Sequence, residues 1–132
     1  MVIIDSSVWV DYLRGTPTSQ VQWLDERITV TQFAVTDLIL CEVLQGIRTE
    51  AQFIKTRDEL LKLRLFRNGG QDVALASAAN YRALKARGRT VKTIDCLIAT
   101  FCVLNDHSLL HNDRDYDVFV KELGLAVVSP DA

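Results

Sequence analysis

The sequence opens on Val2-Ile3-Ile4-Asp5-Ser6-Ser7-Val8-Trp9, and this stretch decides the class of fold. Val2-Ile3-Ile4 is a short apolar run rich in β-branched residues, which is typical of a strand buried on both faces. Ser6 or Ser7 can cap a following helix, which is expected to end near Gly15. A carboxylate and two hydroxyls therefore stand where a buried strand passes into a helix.

The rest of the chain repeats this alternation of strands and helices. Further strands are predicted at 33–35, 63–66, 108–110 and 125–128, and further helices at 20–27, 38–44, 50–62, 71–87, 94–104 and 116–123. Thr36 or Asp37 is expected to cap the helix at 38–44, and Thr93 the helix at 94–104. Strands that alternate with helices predict an α/β fold, a three-layer α/β/α sandwich around a five-stranded parallel sheet.

Length and composition indicate one folded domain over residues 1–132. The 132 residues are 48% hydrophobic and 24% charged, with six Gly and two Pro, which excludes a disordered or low-complexity chain. No apolar run approaches the eighteen or so residues of a membrane span, and the start lacks the basic region of a signal peptide. Three cysteines without a CxxC spacing argue against a disulfide framework or a zinc site. We expect a cytoplasmic protein.

Acidic residues mark the ends of two predicted strands. Asp5 directly follows the first strand, and Asp113 and Asp115 follow the fourth. Taken singly, each is adequately explained as a helix-capping or loop acid, and Asp95, in the first turn of its helix, is equally explained by the helix dipole. Glu42 is harder to explain in this way because its helix is apolar on every side, where an unpaired carboxylate is costly.

As a set, these acids predict a metal site. Ligands bind beyond the carboxyl ends of parallel strands, where all five side chains can meet. Carboxylates about 4 Å apart repel by roughly 4 kcal/mol per pair at an effective dielectric near 20, so a cation is needed to hold them together. Ligands that offer only oxygen select Mg²⁺ or Mn²⁺, and such sites hydrolyse phosphodiester bonds.

The charge balance agrees with a nucleic-acid substrate once the acids are set apart. The net charge is −2, but without the five acids twelve remain against 15 basic residues, a balance of +3. A basic run precedes Asp95 and comprises Arg82, Lys85, Arg87, Arg89 and Lys92. Such a run is commonly a solvated helix face, and it can also bind a phosphate backbone.

Four short blocks, in order and spanning the chain, resemble those of PIN-domain proteins, with the VapC toxins of VapBC toxin–antitoxin pairs as the nearest match. They are Val2-Ile3-Ile4-Asp5-Ser6-Ser7-Val8-Trp9, Leu40-Cys41-Glu42-Val43-Leu44-Gln45-Gly46, Ile94-Asp95-Cys96-Leu97-Ile98-Ala99 and Leu110-His111-Asn112-Asp113-Arg114-Asp115-Tyr116. The resemblance implies the strand order 3-2-1-4-5 and endoribonuclease activity with Mg²⁺ or Mn²⁺. It also implies a homodimer, and a VapB-type antitoxin that plugs the site.

The resemblance also assigns roles by position. Asp5, Glu42, Asp95 and Asp113 match the acidic quartet, Asp115 matches an additional acid, and Ser7 matches a supporting polar residue. The metal is expected at Asp5, Asp95 and Asp113, with Asp115 as the alternative to Asp113. Tyr116 stands where the family usually has phenylalanine. An antitoxin arm would cross the first helices around Trp9 and Trp23, unless these residues belong to the core.

Three other interpretations compete with that of a PIN-domain nuclease. A receiver-like phosphoacceptor domain would need paired acids after the first strand and a lysine at the end of the last, and the sequence has neither. A phosphatase with a DxD motif would need an acid at Ser7. A non-catalytic PIN-like RNA-binding scaffold is the remaining alternative, and the completeness of the acidic set argues against it, because a scaffold has no need of costly buried carboxylates such as Glu42.

Overall fold

The opening stretch forms a central strand of a parallel sheet. The structure, a computed structural model, describes residues 1–130. Over these residues four strands pair in parallel in the order β3-β2-β1-β4. The strands are β1 (Val2–Ile4), β2 (Phe33–Thr36), β3 (Arg64–Phe66) and β4 (Ser108–Leu110). The predicted α/β fold with a parallel sheet is confirmed.

Helices connect the strands close to the predicted positions. They are α1 (Ser6–Arg14), α2 (Ser19–Arg27), α3 (Asp37–Gln45), α4 (Glu50–Leu60), α5 (Gln71–Ala86), α6 (Thr93–Leu104) and α7 (Asp117–Leu123), with a 3₁₀ turn at Arg114–Tyr116 before α7. Thr36 caps α3, as predicted. Two other capping predictions are wrong: the side chain of Asp5 caps α1, and Thr93 is the first residue inside α6.

The prediction of five strands is also wrong. The segment at 125–128 reaches the outer edge of β4, but it forms only an isolated parallel bridge between Val127 and Leu109. Two hydrogen bonds hold it, from the N–H of Leu109 to the carbonyl of Ala126 at 2.9 Å and from the N–H of Val128 to the carbonyl of Leu109 at 3.0 Å. Because β4 is only three residues long, its edge offers little more for a neighbour to pair with.

Both faces of the sheet are covered. Neighbouring residues of a strand point to opposite faces, and Ile3 and Ile4 of β1 are both fully buried, as are Ala34 and Val35 of β2. The chain order reverses between β1 and β4, which lie side by side. In open parallel sheets a crevice forms at such a point, beyond the carboxyl ends of the strands. Over residues 1–130 no helix has the length and apolarity of a membrane span.

Candidate active site

Asp5 lies in this crevice and has two roles at once. It follows β1, its side chain caps α1, and only 3% of it is exposed. Its Oδ2 accepts the N–H of Ser7 at 3.1 Å and the hydroxyl of Ser7 at 2.7 Å. Its Oδ1 accepts the hydroxyl of Tyr116 at 2.9 Å. The capping and site interpretations of Asp5 are therefore compatible.

Ser7 links the ends of the two adjacent strands. Its hydroxyl donates to Asp5 and accepts the backbone N–H of Asn112 at 3.0 Å. Asn112 lies just after β4, and its side chain donates to Asp11 of α1 at 3.2 Å. Ser7 therefore links the start of α1 to the loop that carries Asp113.

Asp95 is a buried acid close to other carboxylates. It lies in the first turn of α6 and is 9% exposed. Its Oδ2 is buried and has no hydrogen-bond partner among the residues that the structure describes. Burial, followed by the charges of Asp5 and Asp113, raises the pKa of Asp95 to about 6. Within residues 1–130 this buried oxygen thus lacks a donor.

Asp113 and Asp115 face Asp95 from the loop after β4. Asp113 caps the 3₁₀ turn, where its Oδ1 accepts the N–H of Asp115 at 2.9 Å. One carboxylate oxygen from each of Asp95, Asp113 and Asp115 lies within 4.8 Å of the other two. Asp115 is more exposed, and its Oδ2 contacts Nζ of Lys92 at 3.2 Å, which raises the pKa of that lysine.

Glu42 reaches the same crevice from α3. It is half-buried, and its Oε1 accepts the hydroxyl of Ser6 over a long 3.4 Å. Burial raises the pKa of Glu42, and the charges of Asp5, Asp95 and Asp113 raise it further against the opposing effect of Ser6. Glu42 therefore lies close enough to Asp5, Asp95 and Asp113 to feel their charges.

One open cavity of about 420 Å³ unites most of the predicted site residues. It is lined by Asp5, Ser7, Glu42, Asp95 and Asp113, together with Lys92 and Asn112. Asp115 lines a neighbouring cavity on the other side of Lys92. The structure thus brings together four of the five predicted acids, from four separate stretches, with the fifth at the rim, and Asp11 of α1 also lines the cavity.

Sequence reasoning missed two contacts in the site. The sequence marks Tyr116 only as a departure from phenylalanine, yet its buried hydroxyl is a partner of Asp5. The sequence marks Lys92 only as part of a basic run, yet it pairs with Asp115 and borders both cavities. The substitution of tyrosine for phenylalanine was the one signal in the sequence that could have pointed to the first contact.

The residues present fit a divalent cation. The donors are carboxylate oxygens, which hard cations such as Mg²⁺ and Mn²⁺ prefer. The unpartnered Oδ2 of Asp95 and the close approach of Asp113 and Asp115 are costly to the protein alone and favourable to a cation. Asp95 and Asp113, with Asp5 or Asp115, are the residues that would hold such an ion.

Comparison with known proteins identifies the family. The family model described as PIN domain matches residues 2–122, and the chain belongs to this family. The chain is 29% identical over 133 aligned residues to ribonuclease VapC11 of Mycobacterium tuberculosis, with 98% of each chain covered. It is 27% identical to ribonuclease VapC19 of the same organism, covering 90% of this chain and 94% of the relative.

Solved structures of the same fold include toxin–antitoxin complexes. VapBC2 from Rickettsia felis, bound to a DNA fragment from its promoter, superposes with a TM-score of 0.78 at 17% identity, covering 97% of this chain and 98% of that chain. A toxin–antitoxin complex from Klebsiella pneumoniae gives a TM-score of 0.73 at 24% identity, covering 98% of both. At these identities the superpositions establish the fold.

Proposed function

We propose that this chain is a metal-dependent endoribonuclease, the toxin of a VapBC-type toxin–antitoxin pair, built as one domain over residues 1–132. The observation that carries the proposal is the buried Oδ2 of Asp95, unpartnered among the described residues and surrounded by further carboxylates at the carboxyl ends of β1 and β4. A protein without cation chemistry gains nothing from that arrangement. Because the similar proteins are named as ribonucleases, we infer hydrolysis of RNA as the reaction.

The side chains divide the work of hydrolysis between them. Asp95 and Asp113 would hold Mg²⁺ or Mn²⁺, together with Asp5. When bound, such an ion supplies activation of water and stabilises charge on the phosphate and leaving oxygen. Glu42 has a raised pKa and an Oε2 that Ser6 does not engage, so this atom is suited to take up the proton of the attacking water.

A basic groove beside the acids suits the RNA strand. A cavity of about 670 Å³ is lined by residues 88–92 and by Arg114, Asp115, Asp117, Val118 and Lys121. It carries four cationic side chains, Arg89, Lys92, Arg114 and Lys121, and it meets the acidic cavity at Lys92. Phosphates bound along this groove would bring the adjoining phosphodiester to the acids.

On the opposite side an apolar groove suits an antitoxin segment. The acidic cavity of about 420 Å³ shares Val10 and Glu42 with a cavity of about 370 Å³. That cavity in turn shares Leu13 and Gln52 with a third member of the series, a cavity of about 720 Å³. The third is lined by Trp9, Tyr12, Ile28 and Leu60, among others. A peptide with apolar residues followed by an Arg or Lys would cover this path and pair with the acids.

The two tryptophans differ in their relation to this groove. Trp9 is 4% exposed and belongs to the core while its edge lines the groove. Trp23 instead packs against Phe33 and under Arg27, and it borders a separate small cavity. We therefore place Trp9, and not Trp23, in the proposed antitoxin-binding groove.

We further propose that two copies of the chain associate, and that the protein works in the cytoplasm, where RNA and a newly made antitoxin are available.

The test is RNA cleavage by the purified protein. Single-stranded RNA should be cut only with Mg²⁺ or Mn²⁺, and Asp113→Asn should remove activity while Asp25→Asn, an exposed acid of α2, should retain it. Undiminished cleavage in excess chelator would refute the metal-dependent mechanism. Binding of RNA without cleavage under any divalent ion would identify a binding scaffold instead. Co-expression with the adjacent small reading frame should give a stable, inactive complex.

A further inference from the structure

The hydroxyl of Tyr116 is held deep in the site by the packing of its ring. Tyr116 is 1% exposed, and its ring centroid lies 5.0 Å from that of His111 and 5.9 Å from that of Phe119. Its hydroxyl donates a hydrogen bond to Oδ1 of Asp5 at 2.9 Å.

The lone pairs of Asp5 are nearly all engaged. A carboxylate offers about four acceptor positions, two on each oxygen. The N–H and the hydroxyl of Ser7 take two on Oδ2, and the hydroxyl of Tyr116 takes one on Oδ1. With Asp5 only 3% exposed, solvent has little access to the position that remains. That position lies on Oδ1.

These contacts also fix the plane of the carboxylate. Oδ2 is held by a residue at the start of α1, and Oδ1 by a residue 111 positions away on the 3₁₀ turn after β4. A carboxylate held at both oxygens from two different elements has little freedom to rotate. Without the Tyr116 hydroxyl, Oδ1 would have two open positions and the plane would be fixed from one side alone.

We propose that Tyr116 is a positioning residue that limits Asp5 to one cation-facing lone pair on Oδ1, so that Asp5 binds a metal through a single oxygen in a fixed direction. This inference rests on the proposed function, and it assigns to Tyr116 a role in the site in addition to its place in the core. Hydrogen-bond partners of metal ligands orient those ligands, and their loss commonly costs about 10–100-fold in metal affinity or activity.

The test compares Tyr116→Phe with the wild type and with Tyr81→Phe. The first change keeps the ring in its packing and removes one hydroxyl, and the second removes a hydroxyl from a half-buried residue of α5 outside the site. Mn²⁺ binding, followed by calorimetry and by the electron paramagnetic resonance of the free ion, should weaken about tenfold in Tyr116→Phe and stay unchanged in Tyr81→Phe. Circular dichroism should show that all three proteins are folded.

A second measurement separates positioning from stability. In RNA cleavage Tyr116→Phe should lower kcat while KM stays near the wild-type value, because the hydroxyl lies outside the basic groove. If Tyr116→Phe binds Mn²⁺ within twofold of the wild type and only melts at a lower temperature, the role is structural and this inference is overturned alone. If the wild type binds no Mn²⁺ and cuts no RNA, the proposed function falls as well.

Discussion

Substitution of Asp95 by Asn should stabilise the metal-free protein at neutral pH. The pKa of Asp95 is raised from 3.8 to about 6, chiefly by burial and then by Asp5 and Asp113. At about 1.4 kcal/mol per unit, the ionised side chain opposes folding by roughly 3 kcal/mol above pH 7. Asn is nearly isosteric and uncharged, so it removes this cost, although its amide group needs a partner of its own.

The contribution of Asp95 to stability changes with pH in a direction set by its raised pKa. The folded state binds a proton at Asp95 more readily than the unfolded chain does, so this contribution to stability is fully favourable below about pH 4 and declines as pH rises through about 6. Roughly 2 kcal/mol of the decline falls between pH 4.5 and 7.5. Asp95→Asn lacks that decline.

Thermal unfolding in excess chelator measures this pH-dependent difference in stability between Asp95→Asn and the wild type. For a domain of this size 1 kcal/mol corresponds to roughly 3–5 °C, so the Tm advantage of Asp95→Asn over the wild type should grow by roughly 6–10 °C from pH 4.5 to 7.5. Addition of Mn²⁺ should reverse the order, because only the wild type gains from the ion. An advantage that does not change with pH, or a variant less stable than the wild type at pH 7.5 without metal, would refute the reasoning.

Four further outcomes are expected. Asp5→Asn should instead lower metal-free stability by about 1–3 kcal/mol, since three donors converge on the carboxylate and one would face an amide N–H; chemical denaturation measures this. Asp113→Asn should reduce Mg²⁺-dependent cleavage at least about 100-fold in a fluorogenic RNA assay. Arg89→Glu and Lys121→Glu should weaken RNA binding and flatten its dependence on salt concentration, read from fluorescence anisotropy. Leu13→Asp, in the apolar groove, should weaken antitoxin binding in a pull-down while RNA cleavage continues.

Matched controls make these outcomes specific. Asp25→Asn changes an exposed acid of α2, so it should leave stability and cleavage near the wild-type values. Arg57→Glu reverses a charge on α4 outside the basic groove, so it should leave RNA affinity unchanged. If Arg57→Glu weakened RNA binding as much as Arg89→Glu does, the effect would be one of total charge and the groove assignment would be withdrawn. Cleavage lost in Leu13→Asp would likewise contradict the separation of the two grooves.

The parts of the site that a sequence can predict are those set by local pattern. Asp5 directly follows a β-branched run, and Asp113 comes shortly after the short strand Ser108–Leu110, so the geometry of parallel strands brings both to the same edge. Glu42 was identifiable because residues 38–44 around it are otherwise apolar. In each case the position of the side chain follows from the element that carries it.

The parts that escaped prediction depend on contacts between distant residues. The bond from Tyr116 to Asp5 joins positions 111 residues apart and requires the hydroxyl, the ring packing and the 3₁₀ turn together. The prediction of a fifth strand is wrong for a related reason. Its residues, 125–128, have the composition of a strand, but the length of the pairing was decided by the short partner edge of β4.

The pairing of β1 with β4 has a consequence for the order in which activity appears during synthesis. The first strand made is a neighbour of the last, and Asp5 and Ser7 find their partners Asn112 and Tyr116 only near the other end of the chain. Chains fold as they emerge from the ribosome, N-terminal parts first. Until residue 116 has been made, the acids of this crevice and their hydrogen-bond partners are not all present, so the site can be completed only late in synthesis.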